Sequence, residues 1–234
     1  MVKFAYAIGR IRSLETQLLD ASHLLRLTDA QDIDSAFLIL RENSFHAAEI
    51  DKLEHSFDFE ALLRQELAST KALLDSLAPG EESLAALWLR YSDLSLGDYL
   101  VRLEKTARRV KSPLFRRYVA AYAALNRIKL SLLEQDDPDQ LIERYRFTDL
   151  AKPVAAGLEE YRRGGSLFAL ERETDNHLLS IMKEAKYLTF GIEPLLGYFF
   201  AREQEQKMIR LVMTAKLLQV APQLIKERLR QTYV

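Results

Sequence analysis

The stretch Leu195-Leu196-Gly197-Tyr198-Phe199-Phe200-Ala201-Arg202-Glu203-Gln204-Glu205-Gln206-Lys207-Met208-Ile209-Arg210, continued to Leu218, reads as one long helix. Tyr198, Ala201, Glu205, Met208 and Val212 recur by threes and fours and share one stripe, the spacing of a helix face turned to a core. The junction before it, Phe190 to Pro194, is tight, and Pro222 opens a last helix. Upstream, Leu167 to Leu188 is helical, and Arg163-Gly164-Gly165-Ser166 is the most flexible stretch of the chain.

The same period continues towards the N-terminus. Asp137-Pro138, with Gln140 three after the Asp, predicts a capped helix start. Leu114 to Glu134 reads as a helix, set off by the Lys111-Ser112-Pro113 break from a long helix over Ser83 to Val110, kinked at Gly97. Phe59 to Leu77 carries Leu62, Leu63, Leu67, Leu73, Leu74 and Leu77 and stops at Pro79-Gly80. Thr28 with Gln31 predicts a capping box ahead of a helix that buries Ile33, Phe37 and Leu40. Phe4 to Arg26, with Ile8, Ile11, Leu14, Leu18 and Leu25, predicts the first helix. No run alternates with period two, so the fold class is all-α.

Composition agrees. The 234 residues are 48% hydrophobic and 29% charged, a globular balance, and eight Gly and six Pro are few for a sandwich or barrel. The net charge of -1 gives no global pull towards nucleic acid or an anionic bilayer. Without Cys there is no disulfide and no thiolate chemistry. The apolar stretch Phe4 to Ile8 is too short for a signal-peptide core, and Tyr118 to Leu125 falls far below the roughly 20 residues that span a bilayer. The expectation is a soluble protein, peripheral if it works at a membrane.

Three segments share a weak pattern: Tyr6 to Arg12, Ala123 to Lys129, and Gln204 to Arg210. Aligned, they superpose Ile11, Ile128 and Ile209, and the cations Arg12, Lys129 and Arg210. Each is followed by a connector and a closing helix, as repeated helical lobes require. The expected lobes are 1–78, 79–163 (shortened) and 164–234.

Gly191-Ile192-Glu193-Pro194-Leu195-Leu196-Gly197-Tyr198, the Ala201-Arg202-Glu203 step, the acidic Glu205 and the Ile209-Arg210 step resemble the near-C-terminal signature of the C subunits of V/A-type ATP synthases, their central-stalk sockets. The opening Phe4 to Arg12, the ending Pro222 to Val234 and Leu87-Trp88-Leu89-Arg90-Tyr91 are similar to other parts of that family. The resemblance is strongest over 4–20 and 189–234. Members of that family are longer, and the shortfall here falls near Lys105 to Pro113. The stretch after Tyr91, Leu94-Ser95-Leu96-Gly97-Asp98, lacks the family's polar and cationic features. The resemblance implies a wedge or funnel of helical lobes in pseudo-symmetric arrangement, possibly without part of one lobe. It implies a non-catalytic central-stalk subunit on the cytoplasmic face of the membrane. Such a subunit joins the rotating shaft subunits to the membrane rotor ring, with ATP turnover elsewhere in the complex and no cofactor of its own.

The residues suggest no catalytic centre. His23, His46, His55 and His177 form no metal-binding spacing. Gly164-Gly165 lacks the Lys of a phosphate loop, and no nucleophile elbow occurs. Arg12, Lys129 and Arg210 read as cations that pair with carboxylates between lobes or, on a sharper reading, line a socket. Glu203 and Lys207 have the spacing of a helical ion pair. Glu205, on the core stripe, needs a partner. It reads as an interface carboxylate or, the favoured reading, as a stripe-edge residue that snorkels or is paired to a cation from another helix. Arg102, Lys105, Arg108, Arg109, Lys111, Arg116 and Arg117 read as a solvated helix end or a patch facing an acidic or membrane surface. A free-standing helical adaptor is the alternative function; nucleic-acid binding and enzymatic activity rank below it.

Overall fold

The structure, a computed structural model, describes residues 4–42, 55, 58–134 and 136–234. Among these residues every regular element is helical, as expected. His46 lies outside the described residues.

The predicted first helix is two. α1 spans Ala5–Glu15 and α2 spans Ala21–Asp29. Asp20, in an extended conformation, accepts the His23 N–H at 2.9 Å and so starts a new helix. The Ser22 hydroxyl and the His23 N–H hold the Asp20 carboxyl well below the usual carboxylate range. Thr28 does not cap α3 (Ile33–Arg41). It lies within α2 and donates its hydroxyl to the Leu24 carbonyl, and the cap is Asp32, which accepts from Ser35 N at 2.8 Å.

α4 is Phe59–Leu77, as expected. The long helix predicted over 83–110 divides into α5 (Glu82–Trp88), a 3-10 turn (Leu89–Tyr91) and α6 (Leu96–Arg109). The break comes ahead of Gly97, because Ser95 accepts the Asp98 N–H at 3.1 Å and caps α6. Ser112 caps α7 (Pro113–Leu133) and Asp137 caps α8 (Pro138–Tyr145). α9 (Ala151–Gly164) and α10 (Phe168–Lys183) follow, then α11 (Glu193–Leu217) and α12 (Pro222–Arg228).

The chain forms two compact units, Met1–Pro79 with Leu188–Val234, and Gly80–Tyr187. The sequence reading sets its divisions at 78/79 and 163/164. The units divide at 79/80 and 187/188, and α9 and α10, which flank 163/164, pack on each other within the second unit.

In the first unit α11 is the central element and packs on α1, α2, α3, α4 and α12. Met208, Ile209, Val212 and Met213 enter one core with Leu24, Leu27, Leu40, Leu62 and Leu63. Each such buried side chain contributes about 1.5–3 kcal/mol against chain entropy. In the second unit α5 packs on α6, α6 on α7, α7 on α10, α10 on α9 and α9 on α8. The α9–α10 contact depends on Gly157, where an added Cβ would lie 2.5 Å from Leu170 Cα.

Candidate functional site

The approach to α11 turns at Gly191, whose φ of +87° favours glycine. Three turns later the helix carries the most buried cation among the described residues. Arg202 is 2% exposed, and its Nη2 donates to Glu66 Oε2 on α4 at 3.0 Å. Its Nη1 donates to Glu205 Oε2 on the same helix, and Glu205 Oε1 accepts the Leu19 N–H at 2.6 Å. One guanidinium, two buried carboxylates and a backbone N–H therefore join α11, α4 and the α1–α2 connection. Burial pushes the adjacent Tyr198 phenol up to about 12; Arg202 opposes this, and Glu205 and Glu66 add to it.

This cluster begins a seam. At four-residue steps along α11, Arg202 meets Glu66, Gln206 Nε2 donates to the Leu63 carbonyl at 3.2 Å, and Arg210 meets Glu60. The partners count down as the α11 numbers count up, so the two helices run antiparallel. Arg210 is bidentate, at 2.7 and 3.1 Å, but this outer pair is exposed.

Another face of α11 holds the ends of α2. Glu205 takes an N–H just before α2, and Lys216 Nζ donates to the Thr28 carbonyl at 2.6 Å and to the Ala30 carbonyl. A carboxylate stands at the positive end of α2 and an ammonium at its negative end, so both charges oppose its dipole. Burial pushes the Lys216 ammonium down, and Asp29 and Asp32 act against this.

A third group lies in the same unit. Arg12 Nη1 meets both Glu15 oxygens at 2.7 and 2.9 Å, and its Nη2 donates to the Leu188 carbonyl at 2.9 Å. The Tyr233 hydroxyl donates to Glu15 at 3.2 Å, and burial pushes that phenol up.

The residues singled out by sequence do not converge on one place. Arg12, Glu203, Glu205 and Arg210 belong to the first unit. Lys129 belongs to the second, where it meets Glu171 at 3.1 Å across α7 and α10. Each of the three repeat cations does meet a carboxylate. Glu203 is half-buried. Glu205 meets Arg202, three residues earlier on its own helix, and the Leu19 N–H of the α1–α2 connection.

Sequence reasoning missed Arg202, Glu66, Glu60 and Lys216. Two of these left a signal. Arg202 stands at i-3 from Glu205, and Glu66 shares a helical face with Leu62, Leu63 and Thr70. Lys216 acts on backbone carbonyls remote in sequence and left none.

A family profile described as ATP synthase (C/AC39) subunit matches residues 7–103 and 98–228. The chain belongs to this family. Among curated relatives, the C subunit of the V-type sodium ATPase of Enterococcus hirae is 37% identical over 67 residues, 29% of this chain and 20% of the relative. The C subunit of the A-type ATP synthase of Methanosphaera stadtmanae is 24% identical over 176 residues, 74% of this chain and 44% of the relative. That of Methanocaldococcus jannaschii is 28% identical over 83 residues, 35% and 21% of the two chains. In each match the C/AC39 chain spans less than half of its relative's length. No described helix of this member is long and apolar enough to cross a membrane.

Proposed function

We propose that this chain is a non-catalytic central-stalk subunit of a V/A-type rotary ATPase, joining the rotating shaft subunits to the membrane ring that carries protons or sodium. In this reading it is peripheral, on the cytoplasmic face, and ATP is turned over by other subunits. Membership in the C/AC39 family supports the assembly. The observation that carries the mechanical role is the buried seam of α11. Apolar packing is non-directional and lets helices slide. A buried ion pair resists sliding, because separating it leaves an unpaired charge at about 3–5 kcal/mol. Arg202 fixes α11 against α4 and the α1–α2 connection in this way, so the first unit yields little under twist.

The test is purification of the tagged chain from cells that also express the ATPase subunits. Shaft and ring subunits are expected in the eluate, and their absence overturns the reading. A second reading, a free-standing helical adaptor, is favoured by one observation: Leu94-Ser95-Leu96-Gly97-Asp98 lacks the polar and cationic features that the family carries after Tyr91. It predicts recovery of the chain without either partner.

A further inference from the structure

The segment from Val101 to Arg117 holds seven cations and one carboxylate, Glu104. Arg109 meets Glu82 at 3.4 Å and Arg117 meets Glu184 at 2.7 Å. Glu104 is taken by Arg127 at 2.8 Å, so it does not serve Arg108 one turn along the same helix. The side chains of Arg102, Lys105, Arg108, Lys111 and Arg116 have neither ion-pair nor hydrogen-bond partner among the described residues. All five are exposed.

Two of them border a groove. Arg108, in the last turn of α6, and Arg116, in the opening turn of α7, line an open groove of about 210 Å3 with Glu104, which Arg127 neutralises, and with Ala107, Val119 and Ala120 as its apolar lining. Arg108 suits the negative end of α6. Arg116 has no such reason, because it sits at the positive end of α7, whose first turn holds no acidic residue. Its placement weakens the helix and leaves a guanidinium fork open for a bidentate carboxylate.

We propose that the α6–α7 groove docks a carboxylate-bearing helix of a neighbouring protein subunit. Its Asp or Glu side chains meet Arg108 and Arg116, and its small apolar residues fill the lining over Ala107, Val119 and Ala120. Apolar side chains set between the two guanidinium groups favour a partner segment that brings both carboxylate and apolar side chains over the wholly polar headgroup plane of a bilayer. The neighbour's identity as an ATPase subunit rests on the function proposed above; the groove does not.

A photo-reactive residue at Ala120, in cells expressing the ATPase subunits, reads the occupant directly by mass spectrometry of the cross-linked peptide. The expected adduct is an acidic helical segment of one subunit. Its yield is expected to fall at least about tenfold in Arg108→Glu/Arg116→Glu and to fall as salt rises. Arg108→Lys/Arg116→Lys is expected to retain part of it, and unchanged circular dichroism melting establishes that each variant is folded. No protein adduct, or a full yield from the reversed variant, overturns the proposal. So does binding to phosphatidylserine-rich vesicles or to RNA that disappears on reversal while the adduct persists. A wild-type chain absent from the shaft-and-ring complex but cross-linked to an acidic helix elsewhere sinks the motor reading and keeps the groove. The converse sinks the groove alone.

Discussion

Arginines on α11 and arginines beside the α6–α7 groove are the same residue in opposite circumstances. Arg202 is buried between two carboxylates, whereas Arg108 and Arg116 stand in water without an ion pair among the described residues, the nearby Glu104 being held by Arg127. The first arrangement fixes the fold, because moving any member strands a charge in a medium that solvates it poorly. The second adds nothing to the fold and leaves charge available to a neighbour. Partnership and burial, rather than residue type, separate a cation that builds the protein from one that offers it.

The contrast breaks most visibly at Arg202. Arg202→Ala is expected to lose about 3–5 kcal/mol of unfolding free energy in urea, because Glu66 and Glu205 remain buried without it. Replacing all three with apolar residues of similar volume is expected to recover most of the loss. The next effect appears with alkali. The Tyr198 phenol ordinarily loses its proton near pH 10 and in the folded chain only at about 12. The stability this contributes is complete below pH 10 and is lost as pH rises through 12, about 2–3 kcal/mol in all. Tyr198→Phe is expected to flatten that part of the stability-against-pH curve. At the far end of α11, Lys216→Met strands the Thr28 and Ala30 carbonyls, an expected loss of about 1–3 kcal/mol by thermal or urea unfolding. The smallest effect belongs to the groove. Arg108→Glu/Arg116→Glu is expected to leave stability within about 0.5 kcal/mol of the parent, and a larger loss would mean that these cations help to hold the fold.

The sequence spelled out elements whose signals are local. Asp137-Pro138 starts a helix because a carboxylate and a proline suit the first turn wherever it lies, and the 3.6-residue period of α4 is visible without its neighbours. It misled where two local signals competed. Thr28 and Asp32 are both plausible caps, and the carboxylate prevails because a charged acceptor bonds an orphan N–H more strongly than a hydroxyl does. Ser95 was overlooked for the same reason, since Gly97 is the louder breaker. In the site, Glu205 stood out because a carboxylate on an apolar stripe is incongruous. Arg202 and Glu66 share that incongruity, but which of them meet depends on the antiparallel docking of two helices far apart in sequence. Lys216 depends on backbone carbonyls, and side-chain patterns do not show where those will be.

The first unit is discontinuous: Met1–Pro79 is completed only by Leu188–Val234. During synthesis, every residue of Gly80–Tyr187 is available before any of α11 exists. The inserted segment is therefore the part that can assemble first, while α1 to α4 wait with Leu24, Leu40 and Leu62 uncovered. A chain interrupted before Leu188 holds all of the second unit's residues but lacks the helix on which α1 to α4 pack, so their apolar faces stay open to association.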